Sequence, residues 1–250
     1  EVLVSKRCSD LPSAISFLES GLSRHRVREA AETKFTMTSD VPQAGVYCEC
    51  ELVLLKLKAG DVASPKEVIE KSAVFLDGNI GVDSIVYSAH HRLQLEYYRT
   101  LKNPEGFYKN ALLYLTYTPL ETIPQADQAA LAFDLCIAAL IGETIYTFGD
   151  VLTQKVLQSI HKGDEWVVLV LRAFSAGNIE KYESLVAEYA NLLNSQPLLV
   201  QNKQLLSQKM AILGLLELIF QQSLHDRTIP FHVIATATKL SLDQVELLLI

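Results

Sequence analysis

QAALAFDLCIAALIGETIYTFGDVLTQKVLQSIHKGDEWVVLVLRAFSAGNIEKY, residues 128–182, decides the fold. Three helical segments succeed one another there with almost no linker. From Leu131 to Ile141 the only charge is Asp134, so this helix expects protein on several faces. Gly142 and Gly149 punctuate the next segment, as residues for turns or close helix packing. Asp164 is placed to cap a helix over Trp166–Phe174, and Gly177-Asn178 suits a C′ residue joined directly to an N-cap. A helix buried on several sides and joined by tight turns is the centre of a helical stack.

The residues N-terminal to this stretch read as further helices. Asp10 and Pro12 open one through Leu18 and Leu22, and a polar segment over Arg24–Thr38 carries a narrow apolar stripe of Val27, Ala30, Ala31 and Phe35. In Val41–Leu57 the apolar residues Tyr47, Cys50, Leu54 and Leu57 fall at steps of three or four, and Gly60 ends the helix. Ser64-Pro65-Lys66-Glu67 is a capping box with proline at the first helical position, ahead of Val68, Ile69, Ala73 and Leu76. Asp83 starts a long amphipathic helix through Ile85, Val86, Ala89, Leu93 and Tyr97. Asn103-Pro104 breaks it before a helix over Phe107–Tyr117.

Beyond the central stretch, Asn178–Leu193 predicts a helix with Tyr182, Leu185, Val186 and Tyr189 inward. Pro197 starts another reaching about Gln222, roughly 39 Å long at 1.5 Å per residue, with Gly214 inside it to let a neighbour come close. Helix pairs spaced by roughly 35–45 residues, with no strand before Thr228, describe an α-solenoid. The tail changes character. Arg227-Thr228-Ile229-Pro230 reads as extended, Phe231–Thr238 as a short helix, Lys239-Leu240 as a turn, and Ser241-Leu242-Asp243-Gln244 as the cap of a last helix. That is a helix-turn-helix, the front half of a winged helix whose wing strands would lie beyond Ile250. The fold class is therefore all-α: a solenoid of helix-turn-helix repeats over 1–125, then a domain over 126–250. That domain has a helical bundle over about 126–226 and an incomplete winged helix over about 227–250.

Composition narrows the function. Lys+Arg 22 against Asp+Glu 29 gives 22 − 29 = −7, which disfavours nucleic acid and anionic membrane surfaces as partners. Uncharged runs such as Asn110–Leu120 fall short of the roughly 20 residues a membrane span needs. Cys8, Cys48, Cys50 and Cys136 read as buried thiols of a reducing compartment, because Cys48 and Cys50 point to different helix faces and no second pair occurs at zinc spacing. The first residue is not Met and the last are a Leu/Ile run, so the expectation is a fragment of a longer protein.

No chemistry stands out. His90-His91 point about 100° apart on a helix, with no carboxylate at the metalloprotease spacing. There is no nucleophile elbow, no cysteine with a nearby histidine, and no glycine-rich phosphate loop. Asp243 and Glu246 on the second tail helix would repel phosphates. Tyr97-Tyr98-Arg99 and Phe107-Tyr108-Lys109 read as core packing with the cations at the rim rather than a base-stacking platform. No catalytic, cofactor-binding or metal residue is assigned, and the chain is expected not to be an enzyme.

Four blocks carry a resemblance. They are Tyr97–Thr100 with Phe107–Leu112; Leu140–Glu143 with Ile145–Leu152; Trp166 with Ala173–Asn178; and Ile229–Leu249. On these the chain resembles the PCI family, helical repeats joined to a winged helix, and most closely its proteasome-lid members. The resemblance runs from about Leu95 to Ile250, and the first 80 residues share only helical character with it. It implies a non-catalytic scaffold of the 26S proteasome regulatory-particle lid, supporting ubiquitin-dependent degradation in cytoplasm and nucleus. The implied partners are other PCI lid subunits and the neighbouring deubiquitinase and ubiquitin-receptor subunits in a hetero-oligomer, with no nucleic acid and no membrane. The lid's metalloprotease-type subunit is excluded, since no His-x-His occurs. The alternatives are a scaffold of another PCI complex (COP9 signalosome or translation initiation) and a winged-helix nucleic-acid adaptor.

Overall fold

The computed structural model describes residues 11–32, 40–60, 65–222 and 228–249, and these are helices and turns without a strand. They belong to two compact units, one within Glu1–Thr122 and the other within Ile123–Ile250.

The first unit holds α1 (Leu11–Glu32), α2 (Asp40–Lys58), α3 (Pro65–Gly78), α4 (Ser84–Thr100) and α5 (Pro104–Tyr117), ending in a 3-10 turn at Leu120–Thr122. Each helix packs on the next, and α2 also packs on α4. The three-and-four spacing explains the core: Cys50, Val53 and Leu54 from α2 meet Ala89 and Leu93 from α4, with Val46, Tyr47, Val68 and Ile69 around them. Proline at the first position starts α3 as expected; Ser64 of the expected capping box lies outside the described residues. Asn103 caps α5 by accepting the Gly106 N–H at 3.0 Å, with Pro104 at the first position. Two expectations change. The chain does not break at Arg24, because α1 runs through it to Glu32; residues 33–39 of the polar segment lie outside the described residues. Ile85 is exposed rather than inward, because the buried stripe of α4 runs through Val86, Ala89 and Leu93.

The second unit is built on α6 (Gln125–Ile141). After it come the single turn α7 (Gly149–Leu152), a 3-10 turn at Lys155–Ser159, α8 (Trp166–Ser175), α9 (Ile179–Glu188), α10 (Ala190–Asn194), α11 (Pro197–Gln201), α12 (Lys203–Gln221), α13 (Phe231–Thr238) and α14 (Leu242–Leu249). α6 packs on the 3-10 turn, α7, α8, α11 and α12, and every residue from Leu135 to Ile141 is buried. The all-round apolar reading of this helix therefore holds. Gln128 anchors its start, donating to the Ile123 carbonyl at 2.8 Å and accepting from the Ser159 hydroxyl at 2.7 Å. Edge-to-face rings fill the adjoining core: Phe133 on Trp166, and Phe148 and Tyr182 each on Phe174.

The α8–α9 joint forms as its residues predict. Gly177 takes φ +58°, its N–H meets the Phe174 carbonyl, and the Asn178 N–H meets that of Ala173, the paired bonds of a Schellman ending. Asn178 then accepts the Lys181 N–H at 2.8 Å as the N-cap of α9. A Cβ on Gly177 would lie 2.6 Å from the Leu213 carbonyl oxygen, and one on Gly214 would lie 2.8 Å from the Ile179 side chain. Gly214 does let a neighbour come close. Gly149 serves no close packing, since nothing approaches its Cβ position.

Three boundaries differ. The helix expected over Asn178–Leu193 is interrupted at Tyr189 (φ −104°, ψ 24°). The long helix from Pro197 is interrupted at Asn202 (φ −100°, ψ 18°), whose backbone N–H and side-chain amide both donate to the Leu198 carbonyl, at 3.2 and 2.8 Å. At α8 the N-cap position is held by Glu165 without a side-chain bond. The Asp164 carbonyl, not its carboxylate, takes the Val167 N–H.

Candidate interaction site

The residues that suggested chemistry in the sequence resolve into packing. His90 is buried between α4 and α3, with Nδ1 2.7 Å from the Ser72 hydroxyl, which itself donates back into its own helix at Val68. Burial drives the His90 imidazole down to about 4, the neighbouring His91 adds to the effect, and the ring is neutral at pH 7. His91 turns the other way: its Nδ1 faces Asn110 Oδ1 at 3.2 Å and its ring stacks on Tyr117, which stacks in turn on Tyr87. The two imidazoles thus serve different contacts. Among the described residues no group of three or more His, Cys, Asp or Glu is arranged to hold a metal.

Cys48, Cys50 and Cys136 are free thiols, Cys48 half-buried and the other two buried; Cys8 lies outside the described residues. Burial pushes Cys50 and Cys136 up to about 12, far from the thiolate a nucleophile needs. The Tyr/Arg and Phe/Lys pair is also packing. Phe107 and Tyr108 are buried, and the Arg99 guanidinium sits 5.2 Å from the Phe107 ring centroid while bonding Glu96 at 2.7 Å. No described helix is long and apolar enough to cross a membrane.

What sequence reasoning missed is Lys209. It is 0% exposed, and its Nζ donates to the carbonyls of Ala139, Leu140 and Gly142 at 3.1, 3.0 and 2.8 Å, capping the C-terminal end of α6. The rings of Tyr146 and Phe148 flank the ammonium at 5.4 Å. A lysine amid Met210, Ala211, Leu213 and Leu215 is the one sequence signal, and a charge on an apolar helix face alone does not name its partner.

The C-terminal helix pair exposes both acidic and apolar side chains on its outer surface. α13 ends at Lys239 in the left-handed conformation (φ 57°), and α14 opens with a reciprocal cap in which Ser241 and Gln244 each bond the other's backbone N–H. The pair rests on α12 through Leu215, Ile234 and Val245. The helix-turn-helix layout holds. Its cation, Lys239, is engaged by the Glu183 carboxylate of α9, while Asp243 and Glu246 are exposed on α14. Phe231, Leu242 and Leu247 are exposed as well. An acidic and apolar surface repels a phosphate backbone and suits protein.

Residues 1–171 match the family described as PSD13 N-terminal repeats, which takes in the N-terminal stretch where the resemblance rested on helical character alone. The chain is 36% identical over 249 residues to 26S proteasome non-ATPase regulatory subunit 13 homolog B of Arabidopsis thaliana, covering 99% of this chain and 62% of that protein. It is 42% identical over 185 residues to 26S proteasome non-ATPase regulatory subunit 13 of Dictyostelium discoideum, covering 74% and 48%. With 26S proteasome regulatory subunit RPN9 of Saccharomyces cerevisiae it shares 24% identity over 244 residues, covering 96% and 61%. The chain thus spans about three fifths of the length of the Arabidopsis relative. With the family match covering most of its residues, the chain belongs to the PSD13 family.

Proposed function

We propose that the chain is part of a scaffold subunit of the 26S proteasome regulatory-particle lid, acting through protein–protein contacts and carrying no catalytic, cofactor or metal site of its own. The observation that carries this reading is the 36% identity across 99% of the chain to a protein named as a proteasome regulatory subunit. In this reading residues 1–125 are helical repeats that extend the contact surface. Residues 126–250 are a PCI domain whose helix-turn-helix faces neighbouring lid subunits in a hetero-oligomer of cytoplasm and nucleus. The boundary between compact units at Thr122 and Ile123 supports such a division. The acidic face of α14 and the engagement of Lys239 by Glu183 favour protein over nucleic acid as its partner.

Native affinity purification of the tagged full-length protein, followed by sizing and mass spectrometry, tests the proposal. The expected result is co-elution with lid, ATPase-ring and core-particle subunits. Elution in a smaller complex of other PCI proteins, as a lone monomer, or with nucleic acid would overturn it.

A further inference from the structure

We draw no further inference here: the strongest candidate, the exposed apolar patch of Phe220, Phe231, Leu242 and Leu247 at the end of α12 and on the C-terminal helix pair, is an unpartnered face and nothing in the structure shows what covers it.

Discussion

The Nζ of Lys209 lies 2.8 Å from the Gly142 carbonyl oxygen, which ties the middle of α12 to the last turn of α6. The ammonium substitutes for the intrahelical donors that the final carbonyls of any helix lack. Lys209→Met keeps most of the aliphatic stem but removes this buried donor from the Ala139 and Leu140 carbonyls, while the Gly142 carbonyl keeps the Ile145 N–H at 3.3 Å. The expected loss is about 1–3 kcal/mol, read as a lower urea midpoint at unchanged slope. An unchanged midpoint would mean that the carbonyls find other donors.

Leu140 and Phe133 both lie on α6, yet they differ in burial: Leu140 is 1% exposed while Phe133 is half-buried against Trp166. Leu140→Asp places an unpaired carboxylate in the core and is expected to cost several kcal/mol, enough to remove the cooperative thermal transition. Phe133→Asp leaves its carboxylate partly hydrated, so its melting temperature should fall less. Equal melting curves for the two would contradict the central place of Leu140.

Gly177 sits where two constraints coincide, a left-handed backbone and a carbonyl of α12 at 2.6 Å from any added Cβ. Gly177→Ala is expected to cost about 1–3 kcal/mol. Gly149→Ala, with open space at its Cβ, is expected to stay within about 0.5 kcal/mol. Thermal melts of the pair separate the local requirement from a general glycine effect.

The imidazole of His90 titrates far below its ordinary 6.5, at about 4, because burial disfavours its charged form. The unfolded chain therefore takes up this proton first. The contribution of His90 to stability is full above about pH 6.5, declines as pH falls from there, and levels off near pH 4. His90→Gln retains a side chain able to bond Ser72 but removes the titration. Its urea midpoint should fall less than that of the parent between pH 7 and pH 5. Parallel decline in both proteins would place the acid sensitivity elsewhere.

Much of this architecture is readable from residue order. The apolar run Leu131–Ile141 dictates a helix enclosed on several sides, and Gly177-Asn178 dictates the α8–α9 joint, because both effects act within a few residues. The interruptions at Tyr189 and Asn202 are not readable: each residue is acceptable inside a helix and keeps its backbone bond four residues back, and only its backbone angles (φ −104°, ψ 24° and φ −100°, ψ 18°) leave the helical region. Lys209 is illegible for a different reason. Its partners lie 67 to 70 residues away in the chain, and no short-range pattern encodes them. For the interaction surface, the exposed acids of α14 are visible in sequence, whereas the Glu183 partner of Lys239, 56 residues distant, is not.

The C-terminal helix pair stands on α12 through Leu215, Ile234 and Val245, a far smaller core than the one around α6. In hydrogen-exchange terms α13 and α14 are expected to open as a unit without the rest of their domain. Their amides should exchange early and together, while those of α6 and α8 persist until global unfolding. If the pair docks a partner as proposed, so small a footing lets its angle adjust cheaply, and binding is expected to select among orientations rather than deform a rigid block.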